Sequence, residues 1–224
     1  MLVKICGITQ LEDAEAAVEC GASAVGFVFW PDSPRFIDPT RAFAIAAKLH
    51  PFVTPVGVFV NQPAEHVNEV AAFVGLGAVQ LHGEESVEYA ATLTRPVLKA
   101  MTLTATADGT IDRWPSTAMV LLDTHDPVRR GGTGQTIDWT RAAAIAARRR
   151  ILLAGGVTPD NVAEAIDRVR PFGIDVSSGV ELSPGVKDRG KLRALFEAVS
   201  GAHSAQRTLW TKTETLRGGE LRSL

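Results

Sequence analysis

ILLAGGVTPDNVAEAIDRVRPFGIDVSSGVE, residues 151–181, holds in one stretch the unit from which the rest of the chain is assembled. A short apolar run, Ile151–Ala154, meets the turn Gly155–Gly156. A helix is expected over Pro159–Val169, with the polar Thr158 ahead of a first-turn proline, and a second apolar run follows at Gly173–Val176. Neither run alternates apolar with polar residues. Continuous apolar strands are what burial on both faces of a parallel sheet produces.

Outward from this stretch the unit recurs. Further strands are read at Leu2–Cys6, Ala24–Phe29, Thr54–Val60, Ala78–Leu81, Val97–Ala100 and Ala118–Leu122. Helices are read at Leu11–Cys20, Pro39–Leu49, Pro63–Phe73, Glu85–Thr92, Trp139–Ala147 and Lys187–Val199, with Asp38 and Gln62 as start signals before Pro39 and Pro63. Thr102–Trp114, broken by Gly109, has poor helical period and is expected as a loop or one short helix. Eight strands with helices between them and no composition break predict an α/β protein, a single-domain (β/α)8 TIM barrel over residues 1–200. A doubly wound open sheet is the alternative. Residues 201–224 have no strand left to pack on and are expected as a surface or disordered C-terminal extension, in which Trp210 is an anchor for another chain or an accident of composition.

Of 224 residues, 46% are hydrophobic and 21% charged, the balance of an ordinary folded domain. Lys and Arg number 23 against 25 Asp and Glu, with no dense basic block, so nucleic acid and anionic membranes are not expected partners. No segment approaches the ~20 apolar residues of a membrane span, and Met1 leads into VKIC without a signal peptide's preface, which predicts a cytoplasmic protein. Cys6 and Cys20 would stand ~15 Å apart along a helix rising 1.5 Å per residue, too far for a disulfide. Neither a Cys/His cluster at metal spacing nor a dinucleotide fingerprint is present, so no metal and no cofactor is expected.

In such a barrel the site lies at the C-terminal ends of the strands, and polar residues just after each apolar run are its candidates. Gly155–Gly156 and the Ser177–Ser178 pair of DVSSGVE follow neighbouring strands. Glycines let backbone N–H groups approach an anion closely, a helix N-terminus adds partial positive charge, and a tight turn alone explains either loop singly. Together they favour a phosphate. Cys6 closes the first strand, where it is either a small buried hydrophobe or an exposed, stabilised thiolate. Asp123 closes VLLD, where it either caps a loop or serves as a carboxyl of raised pKa in a dry pocket. The loop beyond it, residues 125–135, suits a flap over the mouth or a plain solvated loop. Arg35 is a fork for a carboxylate or a solvated arginine. His82 is an acid-base group or, more commonly, a hydrogen-bonding wall residue. Arg148–Arg150, in a helix's last turn, reads as structural. A cofactor-free proton transfer on a phosphorylated metabolite fits these residues.

KICGIT (4–9), GFVFWPDSPR (26–35), VGVFVN (56–61), VQLHGEE (79–85), LLDT (121–124) with GGTGQTIDW (131–139), LAGGVTPDNV (153–162) and DVSSGVE (175–181) together resemble the phosphoribosylanthranilate isomerase family of tryptophan biosynthesis. The resemblance implies a metal-free, cofactor-free Amadori rearrangement of N-(5-phosphoribosyl)anthranilate to 1-(2-carboxyphenylamino)-1-deoxyribulose 5-phosphate, the third step from chorismate to tryptophan. It implies Cys6 as general base, Asp123 as general acid and Arg35 on the anthranilate carboxylate. Gly155, Gly156, Ser177 and Ser178 would hold the phosphate, Asp175 would line the sugar, and His82 would be a substrate-binding wall. A small-molecule phosphosugar is then the partner, bound by a monomer or homodimer. Two rivals are another phosphosugar barrel enzyme, with Lys99 as a Schiff-base lysine, and a non-catalytic interaction protein binding through the tail.

Overall fold

A computed structural model describes residues 1–103, 110–123 and 138–202. Eight parallel strands close into a barrel in sequence order. They are β1 (Leu2–Cys6), β2 (Ala24–Val28), β3 (Thr54–Phe59), β4 (Ala78–Leu81), β5 (Val97–Thr102), β6 (Met119–Asp123), β7 (Ile151–Leu153) and β8 (Gly173–Val176). The last returns to the first through Leu2 opposite Gly173 and Ile5 opposite Val176, which excludes the open sheet. β1, β4 and β8 have the expected bounds. β5 and β6 run past their apolar cores together, because Thr102 pairs with Asp123 and a backbone ladder makes no demand on side-chain polarity.

Helices cover Leu11–Cys20, Pro39–Ala46, Ala64–Val74, Val87–Ala90, Trp139–Ala146 and Val162–Val169, and a further helix spans 189–202. Asp38 caps the second by accepting from Thr40 N at 2.8 Å, as the sequence suggests. Gln62 does not cap the third. Its amide donates to Phe29 O and accepts from Val60 N, which ties the ends of β2 and β3. The fourth helix shrinks because Ser86 caps it while Glu85 turns inward to Lys99. The helix expected from Pro159 begins at Val162, because Asn161 accepts from Thr158 N and donates to Gly156 O, both at 2.8 Å, and so competes with the helical ladder. Lys187 starts no helix. It lies in a two-stranded hairpin of β9 (Glu181–Ser183) and β10 (Val186–Lys187).

Side chains alternate between barrel interior and helix layer along each strand. Leu2, Leu98, Met119, Leu121 and Leu152 pack inside, whereas Val3, Ile5, Val79, Leu81, Val120, Leu122, Ile174 and Val176 join the main core under the helices. The arginine run is structural, as expected: Arg149 donates to the carbonyls of Ile111, Trp114, Pro115 and Ala118 and fastens the chain before β6 to the helix before β7. Residues 104–109 of the Gly109 stretch, the 125–135 loop, and 203–224 with Trp210 lie outside the described residues. Among the described residues no helix is long and apolar enough to cross a membrane.

Candidate active site

The alternation that buries Val3, Ile5, Leu122 and Val176 outward turns Cys6, Gln80, His82, Asp123, Asp175 and Ser177 toward the barrel axis at the strands' C-terminal ends. The same rule removes one rival. Leu98 and Ala100 point inward, so Lys99 points outward, where it pairs with Glu85 at 2.8 Å, donates to Gly83 O at 2.6 Å and lies 5.8 Å from the Trp114 ring. An ion-paired lysine in the helix layer is not placed to form a Schiff base in the mouth.

Of the two readings left open for Cys6, the structure shows the buried one: the residue is 8% exposed and walled by Val28, Val58 and Trp30. Burial pushes the thiol's pKa up, against the opposing pull of the Lys4 and Lys187 ammonium groups. Gly26, opposite Cys6 on β2, leaves room for this crowding: a Cβ there would stand 2.8 Å from Cys6 Sγ and 3.1 Å from Lys4 Nζ. Asp175 is not a free wall for the sugar, because it receives Lys4 Nζ at 2.8 Å. Lys4 has no exposure at all, and an isolated buried ammonium costs several kcal/mol, so each ion depends on the other.

Asp123 ends β6 buried, and its Oδ2 lies 3.4 Å from His82 Nε2. His82 Nδ1 in turn lies 3.0 Å from Gln80 Nε2. With the amide nitrogen as donor, Nδ1 accepts, and the neutral ring directs Nε2–H at the carboxylate. The histidine is thus a wall residue that touches the candidate acid.

Arg35 reaches back over Gly7 to Glu181. Its Nε and Nη2 engage both carboxylate oxygens, the shortest contact being 2.7 Å. The side-on edge of the fork is therefore occupied, and the end-on edge remains for a second carboxylate. Lys187, also buried, donates to Glu181 Oε1 at 2.7 Å and to Cys6 O at 2.6 Å, while its own N–H is received by Asp13. Burial raises the Glu181 carboxyl, but Arg35 and Lys187 outweigh it and hold the group below its ordinary value of 4.5. A depressed folded-state pKa stabilises the fold above the unfolded value, and that contribution is lost as pH falls through the folded one. Glu181→Gln should therefore melt lower than wild type at neutral pH and lose less between about pH 5 and 3. Parallel melting curves in a thermal-unfolding pH series would contradict this.

The two loops expected to hold phosphate adjoin. Gly179 approaches the Val157 carbonyl so closely that a Cβ would collide with it. Gly155 and Gly156 have φ of 72° and 67°, a left-handed pair that side chains resist. Ser177 Oγ is buried without a partner. The helix contribution is weaker than expected, since a three-residue 3-10 turn, Ser178–Val180, follows β8 and the helix after β7 starts at Val162. The polar groups these loops offer are backbone N–H groups and the serine hydroxyls.

Lys4, Glu181 and Lys187 were not singled out from the sequence. Lys4 in an otherwise apolar strand was the visible signal for one of them, as costly there as Asp123. Among the described residues no group of three His, Cys, Asp or Glu side chains could hold a metal ion.

A family model described as N-(5'phosphoribosyl)anthranilate (PRA) isomerase matches residues 3–198. The N-(5'-phosphoribosyl)anthranilate isomerase of Citrifermentans bemidjiense is 51% identical over 200 residues, 87% of this chain and 94% of that protein. A phosphoribosyl anthranilate isomerase solved with reduced 1-(o-carboxyphenylamino)-1-deoxyribulose 5-phosphate is 44% identical with a TM-score of 0.80, covering 90% of this chain and 100% of the other. Monomers generated from the dimeric Thermotoga maritima isomerase are 43% identical with a TM-score of 0.78, covering 90% and 100%.

Proposed function

Since the chain belongs to the N-(5'-phosphoribosyl)anthranilate isomerase family, an enzyme family of tryptophan biosynthesis, we propose that Cys6 and Asp123 divide between them the first two proton transfers of that isomerisation. The substrate is an aminofuranose phosphate with anthranilate on C1. A proton delivered to the ring oxygen lets the C1–O bond break, with the nitrogen lone pair forming an open-chain iminium. That ion acidifies the C2 proton, whose removal pushes electrons through C1 to nitrogen and gives an enolamine. Proton uptake at C1, with loss of the C2 hydroxyl proton as the C2=O bond forms, completes the ketose.

The division of labour follows from position and chemistry. A carboxyl suits delivery to the ring oxygen, and Asp123 ends β6 with His82 beside it. A thiol suits the C2 proton, because the iminium has lowered the demand on the base. The observation that carries the reading is that both groups are inward-facing terminal residues of strands in one closed barrel. The Gly155–Gly156 and Ser177–Ser178 loops would take the phosphate, and the end-on edge of Arg35 the anthranilate carboxylate. Asp175 would touch the sugar while bound to Lys4.

The enzyme works on a small phosphosugar, and we place it in the cytoplasm. The dimeric Thermotoga maritima neighbour favours a homodimer over a monomer. The test is loss of the substrate's anthranilate fluorescence on adding pure enzyme, with and without chelator. Turnover unchanged by EDTA and exhaustive dialysis is expected. Activity lost to chelator and restored by zinc or magnesium would overturn the proton-transfer scheme.

A further inference from the structure

The mechanism gives Cys6 the task of a base, yet burial pushes its thiol toward the neutral form. It leaves Lys4, two residues earlier on the same face of β1 and wholly buried, without a task. The charges around the thiol come from every element that packs on it. Lys4 stands on β1, Asp175 on β8, Lys187 on β10 with its ammonium on the Cys6 carbonyl, and Arg35 beyond β2 with Glu181 between it and Lys187. Among the described residues, three cations and two carboxylates thus surround the thiol, and the Asp13 carboxylate lies behind them on the backbone N–H of Lys187.

Among these cations Lys4 is the one that shares a notch with the sulfur. Gly26 presents no side chain, and the point a Cβ would occupy lies 2.8 Å from Sγ and 3.1 Å from Nζ. Arg35 and Lys187 are drawn off by Glu181, whereas the Lys4 ammonium has Asp175 Oδ1 on one side and Cys6 on the other. Its pKa is raised, with Asp175 and Cys6 together overcoming desolvation, so it remains charged through the working pH range.

We propose that Lys4 is a positioning residue for the base: held in the barrel by Asp175, its ammonium is the counter-charge that brings a Cys6 thiolate within reach against the pull of burial, so that it can take the C2 proton. This rests on Cys6 being the base. Removing the ammonium then raises the pKa of the thiol.

The test reads the thiol directly, without substrate, so its failure is distinct from failure of the catalytic reading. In a Cys20→Ser background, the rate of iodoacetamide alkylation of Cys6 and its ultraviolet thiolate absorbance are followed against pH. Lys4→Met is expected to move the profile to higher pH by a unit or more, about tenfold slower alkylation at a fixed pH below the midpoint. Lys4→Arg, which keeps the charge, should recover much of the shift. Should Lys4→Met fail to fold, Lys4→Gln decides by the same displacement to higher pH. Profiles of the uncharged variants that superimpose on wild type, or move to lower pH, would overturn the proposal.

Discussion

Asp123→Asn is expected to lower kcat by roughly 10²–10⁴-fold, the loss typical of a removed general acid. The substitution keeps the size and outline of the side chain at the end of β6, and the amide accepts the His82 N–H as the carboxylate does. It cannot donate a proton as an acid. The ladder pairing of Asp123 with Thr102 is made by backbone and survives. Unfolding should therefore be little changed while turnover collapses, and the defect should appear in kcat more than in KM, because the proposed phosphate and carboxylate anchors follow other strands. Substantial turnover by a folded Asp123→Asn enzyme would remove Asp123 from the chemistry and leave His82 as the acid to examine.

Cys6→Ser is expected to be equally crippled. Serine matches the thiol closely in shape within the Val28, Val58 and Trp30 pocket, so packing is preserved. Its hydroxyl, however, ionises far above any working pH. The loss should reach at least the ~10²–10⁴-fold of a missing base. The wild-type profile carries a second signature. Because burial raises the thiol, kcat/KM should climb with pH through the thiol's titration, later than an exposed cysteine would allow. The serine variant should lose that climb. A Cys6→Ser enzyme at near wild-type rate would return Cys6 to the role of a packed core thiol.

What the chain disclosed in advance follows from which interactions are local. β1, β4 and β8 each give way to small or turn-forming residues, at Gly7, at Gly83 after one intervening residue, and at Ser177–Ser178, and their limits coincide with the expected ones. Strand ends then put Cys6, Asp123 and Asp175 in the mouth by alternation alone. The reading failed where a side chain left its own element for another partner. Glu85 abandons its helix for Lys99 on β5, and Asn161 folds back on Gly156. Arg35 meets Glu181 at a separation of 146 residues, which no periodicity reveals. Lys187 looked like the start of a helix because β9 and β10 are too short to show a strand's apolar pattern. Which of its two readings Cys6 would take was not legible for the same reason: exposure of a strand-end residue is decided by what packs on it, and here Val28, Val58 and Trp30 do so.

The most direct test of the division between acid and base is a single-turnover reaction with enzyme in excess, quenched with borohydride at early times. If Asp123 opens the ring and Cys6 takes the C2 proton afterward, Cys6→Ser should accumulate the open-chain iminium and yield the reduced pentitol amine. Asp123→Asn should yield almost none. Equal trapping in the two variants, or trapping confined to Asp123→Asn, would contradict the assignment.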